Sequence, residues 1–267
     1  MKPSHLSLLI FLVFGSPAHA DERPLASFLE LPWRYVIGGW EKGKWLNSED
    51  TGKKLTAPTT PYRVFSLIGE LKAITAGKAA PDEDVCPDVW ISPVTPDPTE
   101  GPAGIAVSSS WEPRPRPVKG LDLTQETYLQ AVRDLLISKG IAKPKPKITQ
   151  LLRADLDGDG QEEVVLSATH YVDADLISPK PGDYSFVVLR RVVGGKVRTQ
   201  LLEGDFFPRS DEGATPYVYE ASGILDLNGD GQMELILNSR YYEGGGATVW
   251  QLKKDRLEKV LEIFCGV

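Results

Sequence analysis

The chain has 267 residues, 41% of them hydrophobic and 25% charged, with a formal net charge of −7. That length allows one large or two small domains with a substantial core. The acidic balance, with no basic run interleaved with aromatics, excludes nucleic acid as the expected partner.

Residues 1–20 read as a signal peptide. Lys2 gives a positive start, residues 6–14 are an apolar run, and Ala18-His19-Ala20 fits a small-x-small cleavage site. Cleavage is expected after Ala20, which gives an exported protein, periplasmic or extracellular. The apolar run is too short to span a bilayer, which takes about 20 residues. No later stretch reaches that length, so no membrane span is expected. No cysteine lies near the cleavage site to carry a lipid.

Residues 21–120 read as a β-rich N-terminal region. In residues 33–46, Trp33, Tyr35 and Ile37 alternate with Arg34 and Val36, and Trp40 and Trp45 flank Glu41-Lys42-Gly43-Lys44, as in a hairpin. Residues 62–71 read as one strand. Residues 76–104, rich in Pro, Gly and Asp, read as loops around a short strand at 89–91, and 104–111 as a further strand. Pro113, Pro115 and Pro117 stiffen an extended crossing. The two cysteines, Cys86 and Cys265, suit a disulfide in an exported protein. It would close a loop of about 180 residues and stabilise by roughly 5 kcal/mol on loop-entropy grounds.

Residues 121–147 read as a helix and a Pro/Lys linker. Thr124 is placed as the N-cap; Tyr128, Ala131, Val132, Leu135 and Leu136 recur at helical spacing, and Gly140 ends the run. Lys143, Lys145 and Lys147, separated by Pro144 and Pro146, cannot continue it.

Residues 148–267 read as a duplication, each unit running strand, acidic loop, strand, strand, strand. The first has strands at 148–154, 164–169, 184–193 and 197–207; the second at 217–225, 235–242, 247–253 and 257–264. Gly244, Gly245 and Gly246 are placed in a hairpin turn. The loops repeat one phrase: Asp155-Leu-Asp157-Gly-Asp159-Gly160-Gln161-Glu-Glu163, then Asp226-Leu-Asn228-Gly-Asp230-Gly231-Gln232-Met-Glu234. Side-chain oxygens on alternate positions with no cation among them repel, and a hard cation such as Ca2+ joins them. Position 12 is Leu166 in one copy and Leu237 in the other, where an EF-hand needs a bidentate Glu, and apolar β-type runs follow rather than helices. The expected ligands are Asp155, Asp157, Asp159, the Gln161 carbonyl and Glu163 in the first loop. In the second they are Asp226, Asn228, Asp230, the Gln232 carbonyl and Glu234. Gly160 and Gly231 let the chain turn back. Four carboxylates against three rank the first site as the tighter.

This phrase resembles the FG-GAP or VCBS-type repeat, the calcium loop of integrin α-chain β-propellers and of many exported bacterial proteins. The resemblance implies that the acidic positions are calcium ligands. The chain is also similar to exported bacterial proteins of unassigned function. They share the Asp-Leu-Asn-Gly-Asp-Gly loop, a Tyr-Tyr-Glu-Gly segment as at 241–244, and a final Cys265-Gly266. A full seven-bladed propeller, at roughly 40–60 residues a blade, exceeds this chain. The expected fold is therefore mainly β with one or two helices: two duplicated β units with calcium loops, reduced or partial propeller-like, plus a β-rich N-terminal half.

Chemistry beyond calcium is thinly signalled. His170 is the only histidine after residue 20 and falls at a strand end, while Asp173 and Asp175 sit in a Pro- and Gly-rich loop. The expected function is a non-enzymatic exported module whose two Ca2+ ions stabilise strand-connecting loops, with a protein or glycan partner. Trp33, Tyr35, Trp40 and Trp45 either pack as core or form a glycan-stacking platform. The alternative is an exported hydrolase with structural calcium and an Asp/Glu pair.

Overall fold

The computed structural model describes residues 23–31, 33–97, 104–172, 177–211 and 213–266. The signal-peptide segment 1–20, and Asp173 and Asp175, lie outside the described residues. The described chain is mainly β, with two helices and three sheets.

The first sheet holds β1 (Ala26–Leu31), β2 (Tyr35–Glu41), β3 (Lys44–Leu46), β4 (Thr60–Phe65), β5 (Glu70–Ala76), β6 (Ala80–Asp82), β7 (Cys86–Ile91), β8 (Val94–Thr95) and β9 (Gly104–Ser108). Its order is β6-β7-β2-β1-β9-β4-β5-β8, with β3 beside β2. Lys42 and Gly43 both have positive φ, 50° and 77°, as a two-residue hairpin turn with the strand's own twist requires. Trp40 is thereby set opposite Trp45. The single strand expected over 62–71 is broken into β4 and β5. The Ser66 amide donates to the Gly69 carbonyl (2.8 Å) and the Gly69 amide to Ser66 Oγ (3.1 Å), which closes a tight turn. The short helix α1 (Ser48–Gly52) is capped by Asn47, whose side chain accepts from the Asp50 amide.

The second sheet runs β10 (Lys119–Gly120), β11 (Ile148–Ala154), β12 (Glu163–His170), β13 (Asp183–Val193) and β14 (Lys196–Phe207). The third runs β15 (Val218–Leu225), β16 (Glu234–Tyr241), β17 (Gly244–Lys253) and β18 (Arg256–Gly266). Strands β11–β14 and β15–β18 are thus two antiparallel meanders of like order. Gly244, Gly245 and Gly246 lie inside β17, paired with Tyr241, Arg240 and Ser239, and the turn falls on Tyr242 and Glu243. The second helix, α2 (Glu126–Ser138), starts after Gln125 rather than at Thr124. The Thr124 hydroxyl donates to Asp122 (2.7 Å), and the cap position falls on Gln125, whose side chain makes no capping hydrogen bond. Gly140, with φ +88°, ends the helix as expected.

Period-two alternation stacks the sheets. On β16, Leu235 and Leu237 pack with Val165, Val187 and Leu189 of the second sheet. Ile236 between them packs the other way, with Phe28, Ile37, Phe65 and Ile105 of the first sheet. The four-stranded sheet is therefore the middle layer. Beyond it, Val132 and Leu136 of α2 cover the outer face of the second sheet through Leu151, Leu166 and Phe186. The first sheet encloses a further core on its other face, built from Leu29, Val36, Tyr62, Val64 and Ala106. Cys86 and Cys265 form the expected disulfide, Cα–Cα 5.6 Å, and it fastens β7 to β18.

The propeller-like expectation is corrected. Among the described residues each sheet runs between two free ends, and the first is one nine-stranded sheet with a non-sequential strand order. Such a sheet is not a set of sequential four-stranded blades around an axis. The FG-GAP, VCBS and β-propeller descriptions do not hold for this architecture. The repeated acidic phrase describes a loop and does not fix how sheets assemble.

Candidate metal centres

Each acidic loop joins the first two strands of a meander, β11 to β12 and β15 to β16. The carboxylate that opens each loop accepts two backbone amides. Asp155 takes Gly158 N (2.7 Å) and Gly160 N (3.2 Å), and Asp226 takes Gly229 N (2.6 Å) and Gly231 N (3.0 Å). Asp159 and Asp230 accept the amides of Gln161 and Gln232, both at 2.7 Å. The closing carboxylates, Glu163 and Glu234, reach back to the amides of Leu156 (2.9 Å) and Leu227 (2.8 Å). One sequence phrase thus folds twice into one hydrogen-bond pattern. Gly160 and Gly231 have φ +87°, and Gly158 and Gly229 are positive too, at +79° and +73°. The second pair of glycines escaped the sequence reading.

In the first loop, the carboxylates of Asp155, Asp157 and Asp159 lie within 4.8 Å of one another, close enough to share a metal ion. Asp82, Cys86 and Cys265 are equally close. There the sulfurs are joined to each other and offer no thiolate, so that group is no metal cage. In the second loop the middle position is Asn228. Its Oδ1 accepts from the Asp230 amide (2.9 Å), while its Nδ2 donates to Asp230 (3.1 Å) and Glu234 (3.3 Å). The carbonyls of Gln161 and Gln232 follow these carboxylates in each loop.

The two loops differ in what neutralises them. Arg191, projecting from β13, donates to Asp157 (3.0 Å), with its Nε 3.9 Å from Glu163. No sequence spacing links Arg191 to the loop; the antiparallel pairing of β12 with β13 brings it there. The second loop has a neutral amide in the comparable role and is more deeply buried: Asp226, Asn228 and Glu234 are 4%, 3% and 0% exposed. Burial raises Asp226 to about 6, with Asp230 adding to it and the Gly229 and Gly231 amides opposing. Burial also holds Glu234 well above the usual carboxylate range, against the Leu227 amide. Glu163 is raised by burial as well, with Arg191 pulling it down.

The loops also hold the layers together. The Met233 amide of the second loop donates to the Leu156 carbonyl of the first (2.8 Å). Arg116 donates to the carbonyls of Asp155 (2.6 Å), Leu156 (2.9 Å) and Gly231 (2.8 Å). Trp111 Nε1 and the Pro113 carbonyl bond the Asp226 carbonyl (2.8 Å) and amide (2.7 Å), and Arg23 donates to the Gly229 carbonyl (2.6 Å). The proline-rich crossing is therefore bonded to both loops along its length, a role that proline spacing does not signal.

The other sequence candidates are dispersed. His170 is the half-buried last residue of β12, its ring 6.1 Å from that of Tyr184. Trp40 and Trp45 meet edge to face at 4.9 Å and pack on the core beneath β2, so they form no open platform. Trp33 is exposed and stacks on Tyr35. Among the described residues no helix is long and apolar enough to cross a membrane. Comparison of the chain with family models, with characterised proteins and with solved structures returns no match.

Proposed function

We propose that both loops bind Ca2+, and that the chain is an exported binding or structural module whose layers the two ions fasten together. The carrying observation is the cluster of Asp155, Asp157 and Asp159 in a loop whose hydrogen bonds recur at Asp226 and Asp230. An all-oxygen donor set on a flexible loop suits calcium better than the strict octahedron of magnesium. Arg191 offsets the first loop's extra carboxylate, so formal charge no longer ranks the sites. Deeper burial then makes the second loop the tighter one, because Coulomb attraction grows as solvent screening falls. This reverses the ranking expected from carboxylate count alone.

Thermal unfolding of the full chain in calcium or in chelator tests the reading. At a hundred times Kd each ion adds about 2.7 kcal/mol, so calcium raises Tm by several degrees. Asp226→Asn abolishes the larger part of that rise and Asp155→Asn the smaller. Identical melting in calcium and chelator, with no calorimetric heat of binding, would sink the proposal.

A second reading, an exported hydrolase with structural calcium, draws on a cleft lined by Glu30, Asp82, Glu220 and Glu243. Burial raises Glu30 to about 7 there, a range suited to a proton donor. Turnover of chromogenic glycosides or esters that Glu30→Gln abolishes would favour it over the non-enzymatic reading.

A further inference from the structure

A cleft lies away from both acidic loops, where β1 and β6 of the first sheet face β15 and β16 of the third. Its volume is about 580 Å3, inside the range that accommodates small ligands. Glu30, 4% exposed, contributes to its wall. One carboxylate oxygen accepts from Asn238 Nδ2 at 2.7 Å, and the other, Oε2, has no hydrogen-bond partner among the described residues. A buried acceptor left unsatisfied is destabilising and marks a place prepared for a donor.

The remaining lining defines that donor. Asp82, Glu220 and Glu243 add negative charge, and the exposed Arg240 is the one base among the lining residues. An anion is therefore repelled. The rings of Trp33 and Tyr35, stacked 13° from parallel with centroids 6.3 Å apart, stand beside these acids, and Trp33 is 63% exposed. Aromatic faces next to carboxylates bind positive charge, since ring quadrupole and carboxylate attract the same ion. A neutral polyol could satisfy the hydrogen-bonding need of Oε2 but leaves the buried charge uncompensated; an organic cation that also carries an N–H or O–H donor answers both.

We propose that this cleft is a binding site for a small organic cation, an ammonium group or a quaternary ammonium with a neighbouring hydroxyl as donor, held by Glu30 and Asp82 against Trp33 and Tyr35. The site is independent of the calcium reading. Burial holds Glu30 near 7, so ionisation across neutrality tunes it. The polar and titratable groups that line the cleft with it are Tyr35 from β2, Asp82 from β6, Glu220 from β15, and Asn238, Ser239, Arg240 and Tyr241 from β16, with Tyr242 and Glu243 in the turn that follows and Cys265, disulfide-bonded, from β18. Cation affinity accordingly rises about tenfold between pH 6 and pH 8 as Glu30 loses its proton.

Calorimetric titration of the full chain with choline, and with its uncharged isostere 3,3-dimethylbutanol, tests the assignment. Choline binds and the isostere does not. Glu30→Gln, which keeps shape and removes charge, weakens choline at least tenfold and flattens the pH dependence. Trp33→Ala, at an exposed position that folding does not need, also weakens it. Absence of choline binding, equal binding of the isostere or of glucose, or undiminished choline binding by Glu30→Gln would each overturn the proposal. Choline binding that persists in Asp226→Asn separates this outcome from any failure of the calcium sites.

Discussion

At the scale of single residues, Arg191 and Glu30 show how one side chain resets a site. Arg191 places a guanidinium among the first loop's carboxylates, 3.0 Å from Asp157. Replacing it with Gln removes a resident positive charge, so calcium affinity at the first loop rises about tenfold while the metal-free protein melts at a lower temperature. Two-site calorimetry reads the first effect and melting in chelator the second. Glu30 gives a pH signature. Its folded-state value is raised from 4.5 to about 7 by burial, so the folded protein holds a proton that the unfolded chain has already lost. Its contribution is fully present below pH 4.5 and is lost as pH rises through 7, a change of about 3 kcal/mol. Denaturant unfolding from pH 4.5 to pH 8 shows this decline in the wild type and a shallower one in Glu30→Gln; parallel curves would contradict it. Neither residue was marked by sequence, because the partner of each comes from another strand or another sheet.

At the scale of elements, the loops were the most legible part of the chain. Their boundaries, carboxylates and the turn glycines Gly160 and Gly231 follow from a phrase written twice, since a short loop between strands is specified by local backbone demands. Two glycines of similar φ nevertheless differ in surroundings. A Cβ at Gly231 meets nothing within 4 Å, whereas one at Gly229 runs into Arg23 and Trp111. Gly231→Ala therefore costs about 1–2 kcal/mol from the left-handed backbone alone. Gly229→Ala costs more and also loosens the tie to Arg23. Urea unfolding of the two variants compares them directly. Elements set by side-chain competition were less legible. Thr124 is a good cap residue, but its hydroxyl donates to Asp122 and the helix begins one residue later, after Gln125. The three glycines at 244–246 read as a turn, yet they serve as strand residues where β16 and β18 approach closely from either side.

At the scale of the whole molecule, stability comes from stacking. The middle sheet, β15–β18, buries both faces, and the disulfide and the loop contacts fasten its edges. Reducing Cys86–Cys265, or replacing both residues with Ser, frees a loop of about 180 residues and lowers stability by roughly 5 kcal/mol on loop-entropy grounds. Denaturant unfolding with and without reductant measures this, and coincident curves would show that packing alone holds β7 to β18. The periodicity of residues 148–207 and 217–264 placed all eight strands, six of them to within one residue at each end, because alternation and turn chemistry are local; β17 starts three residues earlier than expected and β18 ends two later. The sequence alone also determined the two acidic loops, the disulfide partners and the helix after residue 124, each set by spacing, local conformation or the presence of only two cysteines. Only the tertiary structure decided that the first nine strands join in one non-sequential sheet, that no propeller forms, that Arg191 enters the first loop, and that Glu30 faces a cleft. Those outcomes depend on which faces pack together across long chain separations, and a linear pattern of apolar and polar residues leaves that choice open.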